Sequence, residues 1–500
     1  MNGGAKVKRR SFKIVLSAFL AVLLAFSPMH HTVVNANAKT AQTNKSDIQD
    51  KVIEENAVFA SDNKPYGYLM LSKEENGASM QKLYDAIDSA VCKYVDGGGD
   101  IPTNEPYNSD GGNVFYEIPN ALFKGTDYKL SINEMVSVYF TYRADHPEAF
   151  FLPPSYLFAE SAQMIFLIIP DDFVLQSERI KYTNLAKQRL GEFKASINDI
   201  SDEYQIAAKA HDLLMQENFY RYDSGNIPST HHSAHSMVGW LDKSGIVCEG
   251  YAKAFQYLLS GVGIECLYVT GTSKGQAHAW NLVKNNGSWY WVDPTFNDQE
   301  SLPGGFYHYY FGLPNDAFMS DHIPGTRTFG SAYQVELPKI DNDFELFYYN
   351  QTNTLISESN ISSLMSVLAQ NAKNEFDSDS YTVTLFAQNS AVKTKATSTI
   401  NKSSNFTQML KDHNLTLRCD TKYTVSTISS ADAGTGGCII YVNFNYHPCD
   451  VDRNTFVEKN DAQLILEALC ENIPTPEFAD TDQNGKTSIY DAVLVLKTIA

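Results

Sequence analysis

An α+β fold is what this 500-residue sequence predicts, and three observations carry the prediction. Apolar stripes of helical spacing alternate with short β-rich runs, and an Asn-Gly turn joins two aromatic-rich segments. Near the C-terminus, two acidic loops each precede a short helical stripe. At roughly 100–200 residues per domain, the length corresponds to about three to four domains. The chain holds 39 Lys and Arg against 58 Asp and Glu, a net charge of −19. Phosphate binding needs clustered cations, so this balance excludes nucleic acid as the main partner. The carboxylates can also serve as oxygen ligands for Ca²⁺.

Residues 1–38 read as a cleaved export signal. Lys6, Lys8, Arg9, Arg10 and Lys13 precede or open the apolar run Ile14 to Phe26, and Ala36-Asn37-Ala38 supplies small residues for cleavage. The run is shorter than the about 20 residues of a membrane span. The expected mature protein is secreted and extracellular, with no membrane segment; an uncleaved N-terminal anchor is the alternative. Residues 39–63 are polar and aperiodic, and read as a linker.

Residues 64–195 form the first expected module, α/β or α+β, whose role the sequence does not disclose. Met80, Leu83, Tyr84, Ile87, Val91 and Tyr94 repeat at helical spacing, and Met164 to Ile169 is an apolar run closed by Pro170, a buried strand. Tyr142 to Pro147 reads as a loop or helix end. From Asp202 the chain is again helical, then loops from Tyr222 to His235; His231, His232 and His235 have no metal-protease spacing and read as a solvated loop. Residues 329–446 read as an α+β accessory domain, with Ile361, Leu364, Met365 and Leu368 on one helical face and alternation at Ile440, Val442, Phe444 and Tyr446.

Of the seven cysteines, Cys92, Cys248, Cys266, Cys419, Cys438, Cys449 and Cys470, the odd count is no disulfide framework. Export permits Cys419–Cys438 or Cys449–Cys470 bridges, which spacing alone does not establish. Cys248 stands apart. It precedes a buried helical stripe ending at Gly261, and a thiol at a helix start meets unpaired amides that favour a thiolate and can hold an oxyanion. His278 and Asp293 lie on two runs joined by Asn286-Gly287. With that pair as a two-residue turn, Asp293 falls opposite Trp280 and His278 opposite Thr295, which makes His278 and Asp293 diagonal neighbours. A thiol, an imidazole and a carboxylate can act as nucleophile, general base and orienting group. Trp280, Trp289 and Trp291 are candidates to line the cleft, with hairpin packing as the other role. No motif places the carboxylate pair of a carbohydrate-cleaving enzyme.

The segments Gly245-Ile246-Val247-Cys248-Glu249-Gly250-Tyr251-Ala252, His278-Ala279-Trp280-Asn281 and Trp291-Val292-Asp293-Pro294-Thr295 resemble the bacterial transglutaminase-like superfamily. Tyr309 to Gly312, Asp321-His322 and His211-Asp212 extend the likeness. The resemblance implies a papain-like core, expected over 196–328, with Cys248 as nucleophile, His278 as base and Asp293 as orienter. It implies acyl transfer from a protein or peptide substrate without a catalytic cofactor, by peptidase or amidase hydrolysis or by cross-linking transfer. Members without activity leave a binding protein as the remaining reading.

Asp480, Asp482, Asn484, Lys486 through its carbonyl, and Asp491 occupy the positions of a Ca²⁺ loop with Gly485 at the turn. Asp450, Asp452, Asn454 and Asp461 repeat the pattern thirty residues earlier. Residues 447–500 resemble a type I dockerin, a small all-α domain. The resemblance implies structural calcium and docking onto a cohesin module of a scaffoldin, hence a cellulosome-associated protein. Lys459, Asn460, Ile489 and Tyr490 correspond to partner-recognition positions. Thr455 replaces the first loop's glycine and Phe456 takes its carbonyl position.

Overall fold

The apolar stripe of the first module becomes one face of helix α1 (Gly77–Val91), and Met80, Leu83, Ile87 and Val91 are all fully buried in the computed structural model. The structure describes residues 13–16 and, omitting 105, 109–112, 224–226, 300–307, 372–379, 403–404, 406–407, 410–411, 413–422, 428–436, 446–447, 453–456 and 472, residues 64–499. Ala36-Asn37-Ala38, the 39–63 linker, Cys419, Asn454, Thr455 and Phe456 lie outside the described residues. The chain divides into two compact units: Met1–Trp289 with Ile323–Lys339, and Tyr290–His322 with Ile340–Ala500.

In the first unit, β1 (Lys13–Leu16), β2 (Tyr107–Asn108), β3 (Val114–Lys124), β4 (Ser155–Ala159) and β5 (Met164–Pro170) form a sheet in the order β1-β4-β5-β3-β2. Every residue of β5 is buried, as its unbroken apolar sequence requires of a central strand. The start of the expected export signal, β1, pairs antiparallel with β4. Cleavage after Ala38 would leave β4 at the sheet edge. Helix α2 (Ile132–Asp145) opens on a capping box in which Ser131 and Glu134 satisfy each other's backbone amides. It ends where Tyr142 to Pro147 was expected to turn.

Helices α3 (Gln176–Ser196) and α4 (Glu203–Glu217) follow, the second capped by Asp202, whose carboxylate accepts from Gln205 N at 2.8 Å. After a small hairpin, β6 (Tyr222–Asp223) and β7 (Ile227–Pro228), the chain enters α5 (Cys248–Ser260). Residues Glu249 through Leu259 of α5 are buried without a break, so this is a central helix rather than a surface one. Gly250 permits that burial: a Cβ there would lie 2.5 Å from the Ala234 carbonyl. Gly261 caps the helix in right-handed geometry, and the left-handed residue is Gly263, φ 86°. Next come β8 (Cys266–Ser273), β9 (Gln276–Asn285), β10 (Ser288–Val292) and β11 (His322–Pro324), a sheet ordered β10-β9-β8-β11. Asn286 and Gly287 both have positive φ, 48° and 92°, the turn chemistry their sequence predicts.

In the second unit, α6 (Pro294–Asn297) follows Asp293. Farther on, β12 (Leu355–Ile356), β13 (Ser380–Ala387), β14 (Tyr423–Thr427) and β15 (Cys438–Asn445) form a sheet ordered β12-β13-β15-β14. Helices α7 (Leu364–Asn371) and α8 (Ser390–Ile400) cover it with Leu364, Leu368, Val392, Ala396 and Ile400. The C-terminal pair, α9 (Lys459–Glu471) and α10 (Ile489–Ile499), packs its own small core around Ile465, Ala492 and Val495. Cys470 is an exposed free thiol, so the Cys449–Cys470 bridge is not formed.

Candidate active site

Cys248 is the first residue of α5, preceded by extended Val247, whose side chain makes no cap. The amides of the first turn are therefore not spent on a side-chain acceptor. The thiol is half-buried, on a helix whose remainder is enclosed.

Behind it stands a buried charge cluster that local sequence does not announce. Glu249 Oε1 receives Arg143 Nη2 at 2.8 Å and Lys253 Nζ at 3.1 Å, while His235 Nδ1 lies 3.2 Å from Oε2. Arg143 Nε donates to the Leu152 carbonyl, and His235 Nε2 to that of Ser229. Burial alone would raise the Glu249 pKa; Lys253 and Arg143 beside it override that and hold it well below the usual carboxylate range. Burial, aided by Arg143, pushes Lys253 down to about 8. A pocket borders this cluster, lined by Arg143, Asp145, Glu249, Tyr268, Thr270 and Gln334 among others. Helix α2 thus supplies Arg143 to the first turn of α5, within the same compact unit.

His278 lies on β9 opposite Gly271 of β8, 6% exposed, with its ring 5.8 Å from that of Trp280. Ala279 packs against Ala252, and Asn281 Nδ2 donates to the Ala252 carbonyl at 3.0 Å. Odd-numbered residues of β9 therefore face α5, and alternation directs His278 and Trp280 to the other face. Among the described residues, no hydrogen bond joins Cys248 to His278. In an unliganded site such bonds are often long and tighten only with substrate.

Asp293 departs from the pairing expected of the hairpin. Strand β10 ends at Val292, so neither Asp293 nor Thr295 lies on a strand to face Trp280 or His278. Pro294, at the first helical position, starts α6 instead, and Asp293 caps it by accepting from Phe296 N at 3.1 Å. The side chain is fully buried, and its Oδ2 lies 3.1 Å from His322 Nε2. His322 Nδ1 in turn meets Asp321 Oδ1 at 2.6 Å, and the Tyr310 hydroxyl donates to Asp321 Oδ2 at 2.9 Å. Burial works against a charge on His322, but its bonds to Asp293 and Asp321 prevail and raise its pKa. The sequence offered Asp321-His322 only as part of a likeness. Its pairing with Asp293 has no local signal.

One further expectation needs correction, and the alternative left open for the tryptophans resolves toward packing. The 231–235 segment is not a solvated loop: His232 is buried, donates to the Phe150 carbonyl at 2.7 Å, and is driven by burial down to about 3. His235 is committed to Glu249, which leaves only His231 exposed. Trp280 and Trp291 are fully buried core residues; Trp289, partly exposed, makes an edge contact with Tyr66.

Residues 192–294 are a transglutaminase-like domain, matching the transglutaminase-like superfamily over that span. Over 98 residues the chain is 31% identical to kyphoscoliosis peptidase of Homo sapiens, covering 16% of this chain and 15% of that protein. The mouse (Mus musculus) kyphoscoliosis peptidase is 32% identical over 98 residues with the same coverage. The likeness thus spans a small part of these relatives' length.

In the C-terminal pair the closing aspartates of the two acidic loops, Asp461 and Asp491, accept alike. Asp461 Oδ1 accepts from Val451 N and Asp452 N, and Oδ2 from Glu458 N. Asp491 accepts in the same pattern from Thr481 N, Asp482 N and Ser488 N. Carboxylate oxygens of Asp450, Asp452 and Asp461 lie within 4.8 Å of one another, as do those of Asp480, Asp482 and Asp491. These all-oxygen sets fit a hard cation such as Ca²⁺. At the helix starts Lys459, Asn460, Ile489 and Tyr490 are exposed.

Proposed function

We propose that this protein is an exported cysteine enzyme that cleaves protein or peptide substrates. In the reading, Cys248 Sγ attacks an amide carbonyl, His278 takes the thiol proton and returns it to the departing amine, and Asp293 orients the imidazole. The first-turn amides of α5 hold the oxyanion. Water then resolves the thioester, releasing the acid and restoring the thiol. The observation that carries the proposal is a half-exposed cysteine opening a buried helix, within a superfamily match that also contains His278 and Asp293. Hydrolysis is favoured over amine transfer because the similar human and mouse proteins are named peptidases.

The C-terminal pair is read as a dockerin that binds Ca²⁺ and docks on a scaffoldin cohesin, placing the enzyme on a cellulosome. Asp480, Asp482, Asn484, Lys486 through its carbonyl, and Asp491 would hold one ion; Asp450, Asp452, Asn454 and Asp461 would hold the other. Calcium there supplies rigidity to the two loops. The matching hydrogen bonds around Asp461 and Asp491 support the duplication.

One test compares wild type with Cys248→Ala on casein, with and without a primary amine, by mass spectrometry. Peptides lost in the mutant establish a peptidase, and amine-labelled glutamine establishes a transferase. The placement of His278 on the face of β9 away from α5 favours one other reading, a non-catalytic binding protein. That reading prevails if neither product forms and Cys248 resists iodoacetamide.

A further inference from the structure

We propose that His322 is a positioning residue: a buried imidazolium clamped between Asp321 and Asp293, which fixes the Asp293 carboxylate from within the second unit. The role rests on the reading of Asp293 as the orienter of His278, whereas the charge on His322 does not.

The clamp follows from a count of protons. His322 is 0% exposed, and its two ring nitrogens meet two different carboxylates, at 2.6 Å and 3.1 Å. A neutral imidazole has one N–H, so one nitrogen would present its lone pair to a carboxylate oxygen. Only the doubly protonated ring donates to both. Neither carboxylate is readily the proton carrier instead. Asp321 already accepts from the Tyr310 hydroxyl, and Asp293 from Phe296 N; each arrangement suits an anion.

The remaining surroundings also favour a cation. Phe318 stacks on the ring at 4.1 Å and 23°, with Phe296 at 5.3 Å and Tyr310 at 5.5 Å. Aromatic π-faces attract positive charge, most strongly where water is excluded. The titratable groups that bear on His322 are thus Asp293, Asp321 and Tyr310, together with His278, the other imidazole that Asp293 serves in the triad reading.

The functional consequence concerns how Asp293 is spent. A carboxylate free to rotate cannot fix the tautomer of a catalytic histidine; one held at Oδ1 by an amide and at Oδ2 by an imidazolium cannot turn. The same imidazolium offsets part of the Asp293 charge, so His278 is oriented without being locked into its protonated form.

The experiment uses the full chain with ¹⁵N-labelled histidine, its His322 signals assigned by loss in His322→Gln. Both ring nitrogens of His322 are expected to remain protonated from about pH 5 to about pH 9, although a free histidine titrates near 6.5. An unprotonated ring nitrogen at neutral pH would overturn the clamp. Asp321→Asn is expected to bring the deprotonation down into that window. For the positioning role, the pH–rate profile of Cys248-dependent peptide release is compared in wild type and His322→Gln. Without the offsetting cation, Asp293 holds the protonated catalytic imidazole more tightly, and the profile moves to higher pH by about one unit. A folded variant with an unshifted profile refutes the role. Should His322→Gln fail to fold, Asp321→Asn takes its place, with a smaller shift in the same direction. If no Cys248-dependent turnover exists, the active-site reading fails, and the positioning role falls with it. The nitrogen signals still decide the charge independently.

Discussion

Two buried charge clusters adjoin the proposed catalytic residues, and each inverts the other. In the first unit one carboxylate, Glu249, is surrounded by Arg143, Lys253 and His235. In the second, one imidazole, His322, is surrounded by Asp293 and Asp321. The excess positive charge adjoins Cys248 in sequence, where the reaction would generate a thiolate. The excess negative charge includes Asp293, where the reaction would call for an imidazolium neighbour. Buried ions are expensive unless paired, so each cluster is held by its own minority member. Glu249 and His322 are those members.

Removing the nucleophile tests whether the comparison concerns catalysis at all. Cys248→Ala touches neither minority ion, and peptide release should fall by at least about 10³-fold, with an unchanged melting curve. Glu249→Gln breaks the first cluster by stranding Arg143 and Lys253; it should cost about 3–5 kcal/mol in urea unfolding. The two clusters should then separate by pH. His322 has its pKa raised on folding, so its contribution is complete below about pH 6.5 and is lost as pH rises through the folded value. Glu249 has its pKa depressed, so its contribution is present above about pH 4.3 and is lost as pH falls through the folded value. Urea midpoints across pH should therefore change on the alkaline side for His322→Phe and on the acid side for Glu249→Gln.

Calcium should act on neither cluster. At a hundredfold excess over its dissociation constant it should stabilise the C-terminal pair by about 2.7 kcal/mol per site, and Asp491→Asn should remove one such increment in calorimetry. The smallest effect is a control: Gly287→Ala, at φ 92° with open space around it, should cost about 1 kcal/mol in thermal melts.

What the sequence made legible was local. The α1 stripe, the buried run of β5 and the Asn286-Gly287 turn each depend on residues a few positions apart, and the periods of helix and strand expose them. Strand β10 ends one residue short of Asp293. The proline after it, a helix-start signal in its own right, marks where β10 gives way to α6. The His231–His235 segment looked polar enough for solvent, yet His232 spends its donor on the Phe150 carbonyl, a partner 82 residues away. The same holds for Arg143 with Glu249 and for His322 with Asp293. A counterion reached through folding leaves no periodic trace in the chain.

The Arg143–Glu249 contact spans 106 residues of sequence, and its first member lies before the stretch shared with the superfamily begins. A gene trimmed to that shared stretch would still encode Cys248, His278 and Asp293. It would also encode a carboxylate sealed indoors with one of its counterions deleted. Resemblance and burial are therefore bounded differently here: the shared wording begins at residue 192, while the partner that keeps Glu249 from being stranded is written on a helix that ends at Asp145.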